Sequence, residues 1–554
     1  FSGTPVTSVP AVNWQPKAPT PEYGLRLTAR VGGIPRRAFQ RGEEIPLTIE
    51  AFGTQYRGQA VQITVNADGT AAWEHTIEEG DRLRLKRTVN IPTERLRCQA
   101  YEFTAAIRDR ATLSETFHIC PSRRNTLLPW YVCKMHRKNV KREEVALNYV
   151  RDHNLNTMIF DLYQLENAAE SPAVGKRLGH YLDLLLRLNL NTSARPTAIA
   201  LATENPDETI IRYDGNPLKH GAHNALSWRA FREQHLDAYR ASLRRQVATL
   251  RGTRSPVLQP WFTTNDDGSM GGNFDFNDLT MARLKADTGL TRDQLPPLKK
   301  MPAGTSVFMP DVAPGILPDN HPWLRYFRWH GGHYAVISNA AMEGLQSGWP
   351  GCYVQDTGCM AGPLYVPRAY YPPIAFTPLN TAGFYQYLFW FHAYPFAIEA
   401  ARMGNRDKPV GAVLSASWID WGGTFQRGTI YRTLAEAPAF LGFWSLDARR
   451  HERWEREEES WTEMQRIGEK LKLLAPYVNR QRPRQRHGAL FFGLAQNCFN
   501  LADKHLRPFE MRSALENFQR AGYKLDLVST EEAMAGALAS YRAVFVAGHE
   551  WLTE

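Results

Sequence analysis

Long apolar runs are absent from this chain of 554 residues. No stretch reaches the roughly 18–20 consecutive apolar residues that a helix needs to cross a bilayer, so the sequence predicts no membrane span. The most apolar helix-like segment, "FYQYLFWFHAYPF", contains His392 and Pro395 and is rich in aromatic residues. We interpret it as a buried helix. The chain is too long for one hydrophobic core, which predicts two to four domains.

Cysteine is scarce, with six residues in the chain. None belongs to a CxxC pair, so we expect neither a metal nor a cofactor. Cys98 and Cys120 fall in the same strand-rich region, and the even number permits disulfides without requiring them, because free buried cysteine is common. The chain begins with Phe1 rather than Met, which predicts a trimmed N-terminus. A secreted or periplasmic location is therefore favoured, with a cytoplasmic one as the alternative.

Nucleic-acid motifs are absent as well. The net charge is +10, but the basic residues are scattered apart from small clusters such as "KMHRKNVKR" and "NRQRPRQRH". A nucleic-acid-binding protein usually concentrates such residues on one face, so we expect no nucleic-acid partner. The excess of basic residues is explained either by a charged surface that keeps the protein in solution or by an acidic partner such as a uronic or sulfated glycan.

The first part of the chain changes character near residue 23. Residues 1–22 are rich in Pro, Thr and Ser and are predicted to form an extended arm. Residues 23–122 contain short alternating runs such as "EIPLTIEAF" and "AYEFTAAIRD", separated by turn signals such as Asn66-Ala67-Asp68-Gly69. Several short strands at this spacing predict an antiparallel β-sandwich.

Residues 123–485 alternate apolar strand-like runs with long amphipathic stretches. "NTMIFDLY" precedes "VGKRLGHYLDLLLRLNL", for example, and "YYPPIAFTPLN" precedes "GFYQYLFWFHAYPFAIEAARMG". About eight such pairs predict a catalytic (β/α)₈ TIM barrel. A doubly wound open sheet would show the same alternation, but the number of pairs and the polar residues at most strand ends favour the barrel.

Residues 486–554 repeat the alternation on a smaller scale, with "GALFFGLAQN", "PFEMRSALENFQRAGYKL" and "RAVFVAG". This order predicts a flavodoxin-like α/β segment of three strands, which is an incomplete core with an open sheet edge. We therefore expect further polypeptide beyond Glu554, or a second chain, as in a homo-oligomer, to cover that edge.

The loops that follow barrel strands carry catalytic groups in such folds. Several carboxylates and tryptophans fall there, and this combination suits sugar binding, because aromatic rings stack on pyranose faces while carboxylates bind hydroxyls or transfer protons. The predicted catalytic residues are Asp266, Asp420 and Asp356. The predicted substrate-binding residues are Trp130, His136, Asp161, Tyr163, Arg195, Trp261, Asn265, Asp267, Gln355, Asn380, Trp418, Trp421 and Trp444.

The layout resembles the clan A glycoside hydrolases of the β-galactosidase-like, family 42 type, although their sandwich is usually C-terminal. The resemblance covers about three quarters of the chain, and two places carry it. The fourth strand of such enzymes ends in Asn-Glu, whose Glu is the general acid/base, and Asn265-Asp266 stands there here. The following "GNFDFNDLTMARLKADTGL" resembles the loop and helix after that motif.

The sequence departs from the family at both catalytic positions. The seventh strand normally carries a nucleophilic Glu, whereas "KPVGAVLSASWID" contains none and Asp420 is its closest acid. Asp is one methylene shorter than Glu, so the separation of the carboxyls, which distinguishes retaining from inverting hydrolysis, is left open. The leading hypothesis is a glycoside hydrolase in which Asp266 protonates the glycosidic oxygen, its pKa raised by burial beside Trp261, and Asp420 or Asp356 is the second carboxylate.

Alternative interpretations accompany each of these features. The first alternative function is a carbohydrate-binding protein on a decayed hydrolase barrel. The second is a metal-dependent hydrolase or deacetylase that uses His136, Asp161 or Asp266. Asn265-Asp266-Asp267-Gly268 is also an ordinary turn composition. His330 and His333 of "HGGH" have the spacing of ligands on one helical face, but we expect surface or packing histidines because no third ligand motif accompanies them.

Overall fold

The structure is a computed structural model of the chain. It describes residues 24–52, 60–67, 70–77, 84–107, 111–122, 130–133, 140–161, 171–195, 202–220, 222–266, 274–300, 308–359, 382–385, 393–404, 406, 408–415, 422–436, 438–444, 458–478, 487–499 and 508–554. None of the helices in these ranges is both long enough and apolar enough to cross a membrane.

The chain divides into two compact units. The first comprises Phe1–Asn125, Gln164–Thr192 and Gln246–Gln259, and the second comprises Thr126–Tyr163, Ser193–Arg245 and Pro260–Glu554.

The strands are numbered in chain order. They are β1 Gly24–Val31, β2 Ile34–Pro35, β3 Ala38–Gln40, β4 Glu44–Phe52, β5 Val61–Ala67, β6 Thr70–Ile77, β7 Arg84–Pro92, β8 Ala100–Ile107, β9 Ala111–Cys120, β10 Trp130–Cys133, β11 Thr157–Asp161, β12 Asn191–Arg195, β13 Ala202–Thr203, β14 Lys219–His220, β15 His223–Ala225, β16 Leu258–Asp266, β17 Leu298–Lys300, β18 Phe308–Pro310, β19 Gly315–Leu317, β20 Tyr353–Cys359, β21 Ala382–Tyr385, β22 Val410–Ser415, β23 Phe440–Trp444, β24 Gly488–Phe492, β25 Leu525–Ser529, β26 Val544–Phe545 and β27 Trp551–Thr553.

The helices follow the same numbering. They are α1 Val140–Asp152, α2 Pro172–Arg187, α3 Trp228–Ala230, α4 Leu236–Gly252, α5 Asp278–Thr288, α6 Pro322–Gly348, α7 Ala393–Arg402, α8 Gly422–Ala435, α9 Glu458–Val478, α10 Leu494–Phe499, α11 Pro508–Arg520 and α12 Thr530–Met534. A π-helical turn, Phe231–His235, joins α3 to α4, and short 3₁₀ turns lie at Pro206–Glu208, Arg292–Gln294 and Ala537–Ser540.

The N-terminal strands form two sheets around one core. Their orders are β2-β1-β4-β7 and β3-β9-β8-β5-β6. Strand β4 shows why: its apolar residues recur at every second position, so Ile45, Leu47 and Ile49 all face inward and are fully buried. Phe103 and Phe117 of the second sheet belong to the same core. Alternation of apolar and polar residues therefore determines which face of each strand is buried.

The eight strands β10, β11, β12, β16, β20, β21, β22 and β23 form a closed barrel in that order. The strand pairs β10–β11, β10–β23, β16–β20, β20–β21, β21–β22 and β22–β23 are all parallel. The predicted barrel is therefore confirmed. One boundary differs, because the sixth strand is Ala382–Tyr385, which the sequence assigned to the start of a helix. Aromatic residues in a short apolar run suit a strand as well as a helix.

The C-terminal residues form a parallel three-stranded sheet of order β25-β24-β26. Its core side chains include Leu490, Leu515 and Leu527. The last strand, β27, leaves this sheet and pairs in parallel with β19 of the second unit. Trp551 of β27 packs in one cluster with Trp323 and Phe499. This pairing was not anticipated from the sequence.

Candidate active site

Five predicted site residues lie at the C-terminal end of a barrel strand, as expected. Asp161 ends β11, Arg195 ends β12, Trp444 ends β23, and Asn265 and Asp266 are the last two residues of β16. The carboxyl ends of parallel strands meet at one end of a barrel, so their backbones belong to the same rim. His136, Tyr163, Asp267, Asn380, Trp418, Asp420 and Trp421 lie outside the described residues, and their roles stay predictions.

The backbone of β16 is irregular where it reaches Asp266. Thr263 pairs with Gln355 of β20, and the next pair is Asp266 with Thr357. Two residues of β16 therefore stand opposite one residue of β20, which is a β-bulge. Bulges bend a strand and re-aim its side chains, and they are frequent beside active sites. The local geometry thus distinguishes Asn265-Asp266 from a plain strand end.

Gln355 and Asp356 differ from the expectation in position. They are the third and fourth of the seven residues of β20, which continues through Thr357 to Cys359. Both residues were expected at the C-terminal end of this strand. Asp356 is therefore a mid-strand residue rather than a loop residue.

Two predicted sugar-binding tryptophans do not lie at the C-terminal end of their strands. Trp130 is the first residue of β10 and pairs in register with Leu441, the second residue of β23. Trp261 precedes Asp266 by five positions, roughly 16 Å along a strand. The expectation that Trp130 follows its strand and that Trp261 lies beside Asp266 is therefore wrong. Reading an aromatic residue near a strand end without knowing where the strand starts caused both errors.

Trp261 instead forms part of the packed barrel interior. Its ring stacks on Tyr353 with centroids 5.2 Å apart and meets Phe440 edge-on at 4.8 Å. Strands β16 and β23 are opposite one another in the barrel, so the contact with Phe440 crosses the interior. Gly411 makes room for this layer, because a Cβ there would lie 1.6 Å from the Phe440 ring.

A buried carboxylate that the sequence analysis missed lies nine residues after Asp266. Asp275 is fully buried and accepts hydrogen bonds from the backbone N–H of Ile211 at 3.1 Å, from that of Asn277 at 3.0 Å and from the Thr280 hydroxyl at 2.6 Å. Burial raises the pKa of Asp275, while these donors lower it. The signal was present in the sequence as an acid between Phe274 and Phe276.

Asn277 and Arg229 extend this polar cluster. The Asn277 amide donates to the carbonyls of Pro206 and Thr209, both at 3.1 Å, and its oxygen accepts from the N–H of Leu279 at the start of α5. Arg229 is buried and donates to the Thr280 hydroxyl and to the Asp207 carbonyl. The segment after β12 is therefore bonded to the segment after β16 by buried groups.

The two histidines of α6 are packing residues. His330 stacks on Trp228 and on Tyr326, with centroids 4.9 and 5.5 Å apart. The Arg232 guanidinium donates a hydrogen bond to Nδ1 of His333 at 3.2 Å. Burial, His330 and Arg232 lower the pKa of His333 to about 3. Across the described part of the chain no group of three His, Cys, Asp or Glu residues is arranged to hold a metal ion.

No protein-family model and no curated protein matches this sequence. Solved structures do. The β-galactosidase of the psychrophilic Marinomonas ef1 aligns with a TM-score of 0.55 at 12% identity, over 75% of this chain and 75% of that one. The β-galactosidase of Bacillus circulans sp. alkalophilus gives 0.55 at 12% identity, over 76% and 67%. Gan42B, a GH42 β-galactosidase from G. stearothermophilus, gives 0.53 at 11% identity, over 76% and 67%.

These likenesses show the fold. The chain has the clan A, GH42-like layout, with an N-terminal domain and a TIM barrel, so the resemblance drawn from the sequence is confirmed at the level of layout.

Proposed function

We propose that this chain is a glycoside hydrolase that acts on a poly- or oligosaccharide through two carboxyl groups. The observation that carries the proposal is Asn265-Asp266 at the C-terminal end of the fourth strand of a closed barrel, directly after a β-bulge. Catalytic groups of such barrels lie at these strand ends. The similar solved structures named above are β-galactosidases, which supports the reaction class.

In this proposal Asp266 is the general acid. It protonates the glycosidic oxygen as the bond to the leaving sugar breaks, and a second carboxylate stabilises the oxocarbenium-like transition state as nucleophile or as base toward water. The position of Asp266, rather than a contact with Trp261, supports this role, since Trp261 lies in the barrel interior.

Asp420 is the preferred second carboxylate. Tyr353 stacks on Trp261, and alternation along β20 places positions 355 and 357 on the face of Tyr353. Position 356 belongs to the opposite face, together with the buried Val354. The register pairs Asp266 with Thr357, so Asp266 shares the face of Thr357 and not that of Asp356. This favours Asp420, which follows β22 in the sequence, over Asp356 as the second carboxylate.

The remaining predicted rim residues would bind the sugar. Arg195, the last residue of β12, supports an acidic glycan, because a guanidinium pairs well with carboxylate or sulfate. Such a substrate is found outside cells, which agrees with the secreted or periplasmic location that we propose.

We also infer that residues 486–554 have a flavodoxin-like arrangement. Their parallel sheet places the first strand between the second and the third, and this order begins the flavodoxin-like 2-1-3-4-5 sheet.

The test compares Asp266→Asn, Asp420→Asn and Asp356→Asn on aryl glycosides and oligosaccharides, with Asp278→Asn as the matched control. Asp278 is an exposed acid on the helix after β16. Asp266→Asn should lower the rate about 10²–10⁴-fold on substrates with poor leaving groups. It should lower the rate much less on an activated aryl leaving group, which departs without a proton. Asp420→Asn should lose activity on both, and the other two variants should resemble the wild type.

Three results contradict the proposal in different ways. Glycan binding without turnover, unchanged by Asp266→Asn, identifies a carbohydrate-binding protein on a decayed barrel. Turnover that a chelator abolishes and added zinc restores identifies a metal-dependent hydrolase or deacetylase. Turnover that is lost in Asp356→Asn but kept in Asp420→Asn reverses the assignment of the second carboxylate. For an active enzyme, NMR of the first-formed anomer distinguishes retention from inversion.

A further inference from the structure

Two cysteines of the N-terminal sheets occupy opposite positions on neighbouring strands. Strand β8 pairs antiparallel with β9, with Ala100 opposite His118. The pairing continues beyond β8, because the Ile119 N–H donates to the Gln99 carbonyl at 2.9 Å. One step further, the same register places Cys98 opposite Cys120, the last residue of β9.

The hydrogen bonds show which kind of pair these positions form. The Ile119-to-Gln99 bond makes those two residues a hydrogen-bonded pair, so the next pair along is a non-hydrogen-bonded one. The carbonyl of Cys120 agrees, because it accepts from the Arg41 N–H at 2.8 Å, on the side of β9 away from β8. In such a pair the Cα atoms are about 4.5 Å apart, which lies within the 4.4–6.8 Å that a disulfide spans.

The thiol of Cys98 also affects the pKa of the Cys120 thiol. Both are free in the structure, Cys98 exposed and Cys120 buried. Burial raises the pKa of Cys120 to about 11, and the neighbouring Asp183 and Cys98 contribute to that rise. An electrostatic effect of one thiol on the other requires them to be neighbours in space, and this agrees with the backbone register.

We propose that Cys98 and Cys120 are a redox site that closes to a cross-strand disulfide in an oxidising thiol environment. Cys98 reacts first because it is exposed. Its thiolate attacks a small-molecule disulfide such as oxidised glutathione and releases one glutathione thiolate. The Cys120 thiolate then displaces the second glutathione, so one S–S bond forms in the protein and two glutathione thiols carry away the two electrons and two protons.

The bond would connect the turn after β7 to the end of β9. Residues between Pro92 and Ala100 form turns and bends. Thr93 and Glu94 are hydrogen-bonded to the segment from Arg41 to Glu43, Leu96 is buried in the core, and the Arg97 N–H donates to the Tyr101 hydroxyl. A disulfide between Cys98 and Cys120 closes a loop that contains β8 and β9. It removes conformational freedom of that loop from the unfolded chain, so it stabilises the folded unit. The proposal does not depend on the glycosidase assignment.

The test equilibrates the folded full chain with defined ratios of reduced and oxidised glutathione. The sample is quenched with acid, denatured and labelled with a heavy maleimide, and an unreduced digest is analysed by mass spectrometry. Wild type should lose two labels as the buffer becomes oxidising, and the digest should contain the Cys98–Cys120 linked peptide. Its melting temperature should rise in the same buffers.

Cys98→Ser is the matched variant, because Cys98 is exposed and the change leaves the core intact. It should lose no pair of labels and show no redox-dependent melting. Cys352→Ser controls for a buried cysteine outside the pair and should behave like wild type. The proposal is overturned if wild type keeps both labels at the most oxidising ratio. It is equally overturned if Cys98 is recovered only as a glutathione adduct or linked to another cysteine.

Discussion

Two buried aspartates, one in each compact unit, invite comparison. Asp183 of α2 accepts from the backbone N–H of Arg37 and of Ala38. These residues form the crossover from β2 in one sheet to β3 in the other. Asp275 accepts from the N–H of Ile211 and Asn277 and from the Thr280 hydroxyl. Each carboxylate thus bonds a chain segment far away in sequence.

Their surroundings differ in charge. Arg36 and Arg37 lie near Asp183 and oppose the effect of its burial, and the pKa of Asp183 is still raised to about 7. Asp275 relies on hydrogen bonds to neutral groups, with Phe274 and Phe276 on either side of it in the chain. The first aspartate holds two sheets and a helix together, whereas the second organises segments that follow barrel strands. A buried carboxylate that is surrounded by neutral donors loses more stabilisation when those donors are removed.

The largest effect is expected from Asp275→Ala. It leaves two backbone N–H groups and a hydroxyl without their acceptor in a fully buried place, which should destabilise the chain by about 3–5 kcal/mol. If the glycosidase assignment holds, activity should also fall at temperatures where the variant is folded, because the segment after Asp266 loses its anchor. Denaturant unfolding and activity at matched folded fraction measure the two effects.

Thr280→Val is a milder change in the same buried cluster. It removes one donor to Asp275 and should cost about 1–2 kcal/mol. Asp278→Asn is the surface control and should change stability by less than about 0.5 kcal/mol. A folded Asp275→Ala variant with wild-type activity would show that the buried cluster has no bearing on the strand end.

A smaller effect is expected from Asp183→Ala, about 2–3 kcal/mol, because two backbone donors lose their acceptor. The close approach of α2 to the crossover makes the site intolerant, since a Cβ at Gly179 would lie 1.8 Å from the Pro35 carbonyl oxygen. Activity of the folded variant should be unchanged. A folded Asp183→Ala variant that is inactive would abolish the distinction between the two aspartates.

The smallest effect concerns pH. Because burial raises the pKa of Asp183 to about 7, the folded chain holds this proton to a higher pH than the unfolded chain does. The contribution of Asp183 to stability is therefore complete below pH about 4 and declines as the pH rises through about 7. Asp183→Asn cannot titrate, so its unfolding free energy should vary less over this window. Equal slopes in the two proteins would contradict the raised pKa.

Much of the barrel could be predicted from local pattern. Strands β11, β12 and β16 fall inside the runs expected for them. Strands β11 and β16 contain the short apolar runs that are typical of buried parallel strands, whereas β12, "NTSAR", is mostly polar. The sixth strand was not predicted correctly, because "AGFY" is short and aromatic and is followed by a strongly helical pattern. Asn265-Asp266 was placed correctly at a strand end, but the bulge before it depends on how many residues of β20 face it, which no local pattern encodes.

The errors at Trp130 and Trp261 have a common cause. Each tryptophan was assumed to lie at the C-terminal end of its strand, without knowledge of where the strand starts, yet a few residues along a strand span many ångströms. Asp275 was missed for the opposite reason: its partners at Ile211 and Tyr326 are distant in sequence. The cross-strand position of Cys98 and Cys120 likewise required the register.

By itself the amino-acid sequence determined the barrel and the strand that ends in Asn265-Asp266, because these depend on the period of apolar residues along the chain. Only the tertiary structure decided that Trp261 fills the barrel interior, that Asp275 bonds the backbone of Ile211 to the start of α5 and that Cys98 lies opposite Cys120. These facts depend on which residues, distant in sequence, come into contact. Strand register and barrel closure determine those contacts.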